Sequence, residues 1–272
     1  MARIIFIAVG AFFASALLYA FGLGAYSFVT EPQAPSVESV YHLHPKEDFH
    51  LASDGPLGTF DRQQLQRGFQ VYSEVCSNCH ALKYVAFRDL KQIGYNDDEV
   101  KAIAAKVQVP HYNAATGELK TSAGVPTDHF PPVVYGGRGS PPDLSLITKA
   151  RHGGAAYVFS LLTGYADQPA SLLKQFPEAK TPDGLHYNPY FANLNIAMPA
   201  PLTGEGQVSY KDGTKATVEQ MATDVAAFLV WTAEPSLEKR HQTGWPVLGF
   251  LLFASILAYM SYRSIWAEKK GH

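Results

Sequence analysis

Within this 272-residue chain, Cys76-Ser77-Asn78-Cys79-His80 is the segment whose residue types and spacing specify chemistry most directly. C-x-x-C-H is the attachment signature of a c-type haem. Two thiols at this spacing can form thioethers to the two vinyl groups of one porphyrin, and the adjacent imidazole then falls onto the iron as an axial ligand. The chain contains two cysteines, and the motif uses both. A C-x-x-C pair also occurs in thioredoxin-like redox sites and as half of a zinc site. Zinc would want a second Cys or Cys/His pair at ligand spacing, and no further cysteine exists. A redox pair would follow a strand inside a βαβ pattern, whereas the residues around Cys76 read as helical. The haem reading therefore leads.

A six-coordinate iron needs a second axial ligand. Of the four methionines, Met1 starts the chain, Met260 lies in an apolar C-terminal run and Met221 sits on a helical face, where a methionine usually fills a core gap. Met198 remains, in Asn195-Ile196-Ala197-Met198-Pro199-Ala200-Pro201-Leu202. The prolines after it hold the backbone extended, so a thioether can be presented without extra ordering cost. A histidine ligand stays open on these grounds: His42, His44, His50, His111, His129, His152, His186 and His241 all lie outside the apolar runs. The ordinary reading of each is a solvated side chain.

These residues must be positioned by helices joined by long loops. Asp61 suits the N-cap of a helix starting at Arg62, with Leu65, Phe69 and Tyr72 on one apolar face leading into the motif. Thr217 suits another cap, with Val218, Met221, Val225, Phe228, Leu229 and Trp231 near the buried face and Pro235 ending the helix. Residues 97–107 and 154–163 are shorter helical candidates. Strand signal is weak throughout, and no internal repeat appears. The expected class is mainly α, a helical haem domain in which the porphyrin supplies apolar core that a small domain lacks.

Two uncharged apolar runs, residues 4–29 and 245–262, are each long enough to cross a bilayer as a helix. The first could be a secretory signal with Ala14-Ser15-Ala16 as its cleavage site, but it exceeds the about 7–15 residues of a usual h-region. It reads as a retained anchor. The second is bracketed by Trp245 and Trp266 and followed by Arg263, Lys269 and Lys270; a buried core helix is the alternative. Positive residues stay inside, so the C-terminus is expected in the cytoplasm and the middle of the chain in the periplasm of a bacterial inner membrane, with Arg3 giving the same orientation. The expected parts are an N-terminal membrane segment at 1–30, a periplasmic haem domain at 31–243, a transmembrane helix at 244–266 and a cytoplasmic tail at 267–272. A formal net charge of -2 and no basic cluster outside the tail exclude nucleic acid as a partner.

Several further segments carry a resemblance. Ala81-Leu82 after the haem motif, Pro141-Pro142-Asp143-Leu144-Ser145, Ala150-Arg151-His152-Gly153-Gly154, Tyr157-Val158-Phe159-Ser160-Leu161-Leu162-Thr163-Gly164-Tyr165 and Tyr187-Asn188-Pro189-Tyr190-Phe191 ahead of Met198 follow one another in an order that resembles the cytochrome c1 family. That family provides the c-type haem subunit of the cytochrome bc1 complex, the ubiquinol–cytochrome c oxidoreductase. C-x-x-C-H is shared by very many cytochromes, whereas Arg-His-Gly-Gly and Asn-Pro-Tyr-Phe are far more discriminating. The resemblance implies a cytochrome c-like domain with one haem c on Cys76 and Cys79, ligated by His80 and Met198. It implies that Arg151 pairs with a haem propionate and that Tyr157 lies near the propionates. A solvated Arg151 beside Lys149 is the alternative. Pro141 and Pro142 are expected against the porphyrin or in a plain turn, and Tyr190 and Phe191 in the pocket wall or the core. Two departures stand out: the family's usual presequence is removed, and residues 166–183, with Pro169, Pro177 and Pro182, read as a surface insertion.

The implied activity is electron relay, with no bond-making on a substrate. His/Met ligation favours a comparatively high potential. The family's donor is the Rieske iron–sulfur protein and its acceptor a cytochrome c, with quinol chemistry on partner subunits including cytochrome b, in a dimeric complex. Asp97-Asp98-Glu99 could add to an acidic docking face, although acidic residues equally suit a helix start. The nearest alternative is the c-type subunit of a terminal oxidase. A peroxidase-like enzyme or haem sensor would need an open sixth position, which Met198 would close.

Overall fold

The computed structural model describes residues 2–31, 35–112, 116–137, 139–267 and 269. Met1 and Lys270, both used above, lie outside the described residues, as do Glu268, Gly271 and His272 of the expected tail. The chain divides into two units, Met1–Tyr41 and His42–His272.

In the first unit, α1 (Ala2–Thr30) runs for 29 residues with exposed side chains along its length, and a short helix α2 (Val37–Tyr41) follows. At about 1.5 Å rise per residue α1 exceeds the thickness of a hydrocarbon core.

The second unit is mainly helical. Its central pair is α3 (Arg62–Val71) packed on α8 (Val218–Ala233), with α6 (Gly154–Thr163) and the single turn α5 (Ile147–Ala150) against other parts of α8. Asp61 caps α3 by accepting from the backbone N–H groups of Gln63 at 2.9 Å and Gln64 at 3.2 Å, an arrangement worth about 1 kcal/mol. Thr217 caps α8 through the Gln220 N–H at 3.1 Å, and α8 ends at Ala233, two residues before Pro235. The α3–α8 crossing depends on Gly68. A Cβ there would fall inside van der Waals contact of the Asp224 carbonyl oxygen, so the two backbones approach as closely as they do because the side chain is hydrogen. Beside the crossing, Phe69, Tyr72, Phe228 and Trp231 interlock, with Phe228 lying 5.6 Å from Phe69, 5.8 Å from Tyr72 and 5.6 Å from Trp231 between ring centroids. Met221 is fully buried here, the core role expected of it.

The remaining elements are small. α4 (Asp97–Ala105) starts with a reciprocal cap between Asn96 and Glu99, and Asp97 and Asp98 pair with Lys91 and Lys101. The acidic triplet is thus a helix start. Two antiparallel ladders appear where strand signal was weak: β1 (Gln108–Tyr112) with β2 (Leu119–Ala123), and β3 (His186–Tyr187) with β4 (Asn195–Ile196). The segment 166–183 contains α7 (Ala170–Gln175), whose Leu172 is fully buried.

Finally, α9 (Leu237–Ala267) is a continuous 31-residue helix that absorbs Pro246 and begins before the apolar run. Its first turn is fastened to the start of α3. Glu238 accepts from the Phe60 N–H at 2.7 Å and pairs with Arg62, whose hydrogen bond holds the Glu238 carboxyl below its ordinary pKa. From Trp245 onward the α9 side chains are exposed apart from the partly covered Ala254, and α1 and α9 are both long and apolar enough to cross a membrane.

Candidate cofactor site

The last turn before the motif departs from α geometry. After Val71 the helix widens into a π turn, Tyr72–Cys76, an insertion often found at functional sites. The Cys76 carbonyl then accepts from the N–H groups of both Cys79, at 3.1 Å, and His80, at 2.9 Å. This tight turn brings both thiols and the imidazole to one cavity of ≈ 600 Å³, within the usual size of a cofactor pocket of about 300–1,000 Å³.

The Pro141–Ser145 segment is laced to the residues that follow the motif. His80 Nδ1 lies 2.7 Å from the Pro142 carbonyl oxygen; because that oxygen can only accept, Nδ1 carries the proton and Nε2 is left with its lone pair. Leu144 N–H donates to the Ala81 carbonyl at 2.9 Å, Lys83 N–H to Asp143 Oδ2 at 2.8 Å, and Tyr84 N–H to the buried Ser145 hydroxyl at 3.1 Å. Pro142 therefore acts through its carbonyl as well as by lining the cavity beside Pro141. Behind His80, the buried Tyr72 hydroxyl donates to the His80 carbonyl at 2.9 Å.

Met198 lines the same cavity. It follows β4, on an arm whose base is fixed by Asn188, a fully buried residue that donates from Nδ2 to the Leu161 carbonyl of α6 at 2.8 Å. The Asn188 N–H bonds the Leu194 carbonyl at 2.9 Å, closing a turn in which the buried Leu194 adopts a left-handed φ of 63°. Such a conformation is costly for a side chain with a Cβ and persists where packing over-determines it. The Asn-Pro-Tyr-Phe segment is thus a strut, and its Phe191 reaches the cavity wall. At the tip, the Tyr165 hydroxyl donates to the Met198 carbonyl at 3.0 Å.

The Arg151-His152-Gly153-Gly154 segment is the turn between α5 and α6. Gly153 at φ 83° and Gly154 at φ 54° both occupy the left-handed region, and a Cβ on Gly153 would also crowd the Pro45 ring. That turn sets Arg151 and Tyr157 at the cavity, Arg151 exposed and Tyr157 half-buried. Burial raises the Tyr157 pKa and the nearby Arg151 opposes the shift. Aliphatic side chains of α5, α6 and α8, among them Ile147, Val158, Leu162, Val225 and Leu229, complete the wall.

Residues 51–269 match the sequence pattern of the Cytochrome C1 family. The chain belongs to that family. It is 40% identical over 267 residues to the Arabidopsis thaliana protein named cytochrome c1 1, heme protein, mitochondrial, a match covering 95% of this chain and 83% of the relative. It is also 40% identical over 233 residues to the cytochrome c1 of Rhodospirillum rubrum, covering 79% and 85% of the two chains. A third match, 40% identical over 237 residues, is to a Bradyrhizobium diazoefficiens protein named cytochrome b/c1, of which it covers 34%.

The cavity's donor set suits the haem of this family. A lone-pair imidazole nitrogen, a thioether and two unpaired thiols reach one largely aliphatic space, the combination a covalently held His/Met haem requires. Other chemistries fit less well. Burial, reinforced by Cys79, pushes the Cys76 thiol up to about 12, opposite to the lowered value of a redox-active cysteine. Among the described residues no cluster of three or more His, Cys, Asp or Glu side chains is suited to a metal ion, and His80 is the histidine in the cavity wall. The rival His111 is engaged with Ser122 and Asp128, and His241 with the Gly58 carbonyl.

Two contributions escaped the sequence reading. From the sequence Tyr72 reads as part of one helix face, and only its place four residues before Cys76 hints at more. Tyr165 stood inside a recognised segment without a role, and nothing local links it to a carbonyl 33 positions away.

Proposed function

We propose that this chain is the membrane-anchored cytochrome c1 of a quinol–cytochrome c oxidoreductase, carrying one haem c attached through Cys76 and Cys79 and ligated by His80 and Met198. The observation that carries the reading is the convergence of the C-x-x-C-H turn and Met198 on one cavity, with the His80 tautomer set by the Pro142 carbonyl. A haem held there supplies a one-electron ferric/ferrous couple. The chain's own residues set its character. The Pro142 carbonyl orients the His80 ring and strengthens it as a donor, the Met198 sulfur favours the reduced metal, and the aliphatic walls keep water away. Arg151, exposed at the cavity rim, offers a planar fork matched to a propionate carboxylate, with Tyr157 beside it.

On this reading single electrons arrive from a Rieske iron–sulfur protein and leave to a cytochrome c, while cytochrome b carries the quinol chemistry within a dimeric assembly. The relative named cytochrome b/c1 supports an intimate partnership with cytochrome b. The two long apolar helices support anchoring at both ends, with the haem domain in the periplasm of a bacterial inner membrane and the C-terminus in the cytoplasm. The proposed limits are a membrane segment at 1–30, the haem domain at 31–243, a second membrane helix at 244–266 and a tail at 267–272.

Purification through this chain in mild detergent tests the assignment. Cytochrome b and Rieske subunits should accompany a c-type spectrum; recovery with copper–haem oxidase subunits alone would defeat it. Within that complex Met198→Leu should retain covalent haem but lower its potential, as a redox titration reads directly. An unchanged midpoint would remove Met198 as the ligand.

A further inference from the structure

Each proposed axial ligand has its own backbone carbonyl held by a tyrosine hydroxyl, and the two holds differ in kind. Tyr72 donates to His80 at 2.9 Å from inside the aromatic core, where its side chain is fully buried among Phe69, Phe130 and Phe228. The residue it grips is also fixed by the Cys76 carbonyl at its N–H and by Pro142 at its ring. Tyr165 donates to Met198 at 3.0 Å from a half-buried position. It lines the haem-side arm on one hand and, on the other, a second cavity of ≈ 540 Å³ bounded by Asp167, Gln168, Thr181 and His186. Past Ile196 the arm runs Ala197-Met198-Pro199-Ala200-Pro201, and its two prolines have no N–H to offer. Among the described residues, the hydrogen bond that reaches the middle of this arm is the one from Tyr165.

From this geometry we infer that Tyr165 is the positioning residue that keeps the Met198 thioether on the iron, a latch whose release opens the sixth coordination site to small external ligands. The inference rests on the proposed ligand role of Met198. The phenol acts through the peptide after Met198: with its carbonyl held, the backbone cannot swing the thioether away from the cavity without breaking that bond, and only the side-chain torsions remain free. Removing the hydroxyl leaves the ring packing in place and frees the carbonyl to turn.

The test is ligand exchange in the holoprotein within its detergent-solubilised complex, with imidazole added to the oxidised form and carbon monoxide to the reduced form. Losing one hydrogen bond of ordinary net strength should tighten both ligands by about three- to tenfold in Tyr165→Phe. Tyr72→Phe removes the equivalent bond on the histidine side; it should lower the melting temperature and leave imidazole affinity at the parental value. Met198→Leu calibrates the open site. If Met198→Leu binds imidazole tightly while Tyr165→Phe matches the parent, the latch is refuted and the ligand assignment stands. If Met198→Leu itself matches the parent, the ligand assignment falls and the latch with it. Equal tightening in Tyr165→Phe and Tyr72→Phe would show general loosening, and would also overturn the inference.

Discussion

The two sides of the cavity are built by different means. The His80 side is continuous with the core: α3, its π turn and the motif lie on one covalent run, α3 is clamped to α8, and Tyr72 ends inside an aromatic cluster. The Met198 side is a loop fastened at separate points by polar contacts from Asn188, Tyr165 and, at the Pro201 carbonyl, Gln207, with prolines stiffening the stretch after Met198. One side should therefore fail with the fold, whereas the other can change its ligand without the fold noticing. Such a division suits a relay whose potential must be adjustable while its cofactor stays in place.

The contrast is broken most severely at Arg67 on α3. Its guanidinium reaches the fully buried Asp224 of α8 through Nε at 2.9 Å and Nη2 at 3.2 Å, while Nη1 meets Asp212 at 2.7 Å. Arg67→Ala would leave the Asp224 carboxylate buried without its cation, at a cost of about 3–5 kcal/mol. A large fall in the urea midpoint of the solubilised protein, followed by near-UV circular dichroism, is expected. A shift smaller than that of a surface substitution would mean that α3 is not held by this pair.

Gly68→Ala comes next. A helix interior ordinarily gains about 1 kcal/mol from this exchange. Here the new methyl group meets the Asp224 carbonyl and the Phe228 side chain, so the helices must part, and an overpacking cost of about 1–3 kcal/mol should prevail. The same urea titration reads the sign directly: stabilisation would show that α3 and α8 approach less closely than the crossing requires.

These positions also mark what the sequence could and could not convey. Asp61, Thr217 and the α3 and α8 apolar faces were legible because caps and helical spacing are local, and α6 fell on the expected residues Gly154–Thr163. Gly68 was not, because its meaning lies in α8, far along the chain. The recognised segments behave similarly. Pro141-Pro142-Asp143-Leu144-Ser145 identified the family, yet its work is done by hydrogen bonds to residues 80–84, some 60 positions earlier, a pairing that no pattern within either segment encodes. β1 contains Pro110 and few strand-forming residues, so its ladder with β2 emerges only from the pairing itself.

The smallest expected effect is the sharpest test of the comparison. Pro199 follows Met198 directly, fixes one backbone angle and offers no N–H, so replacing it mainly widens the ensemble available to the arm. Pro199→Ala should cost less than about 1 kcal/mol of global stability, an amount that urea titration barely resolves. On the core-built side a perturbation of that size would leave the iron's ligands untouched. On the Met198 arm the added freedom acts on the ligand itself, so imidazole should bind the oxidised protein about two- to fivefold more tightly, tracking the entropy released near the thioether. Unaltered imidazole binding, with stability lowered by the full kilocalorie, would place Pro199 with the core and remove the distinction between the two sides.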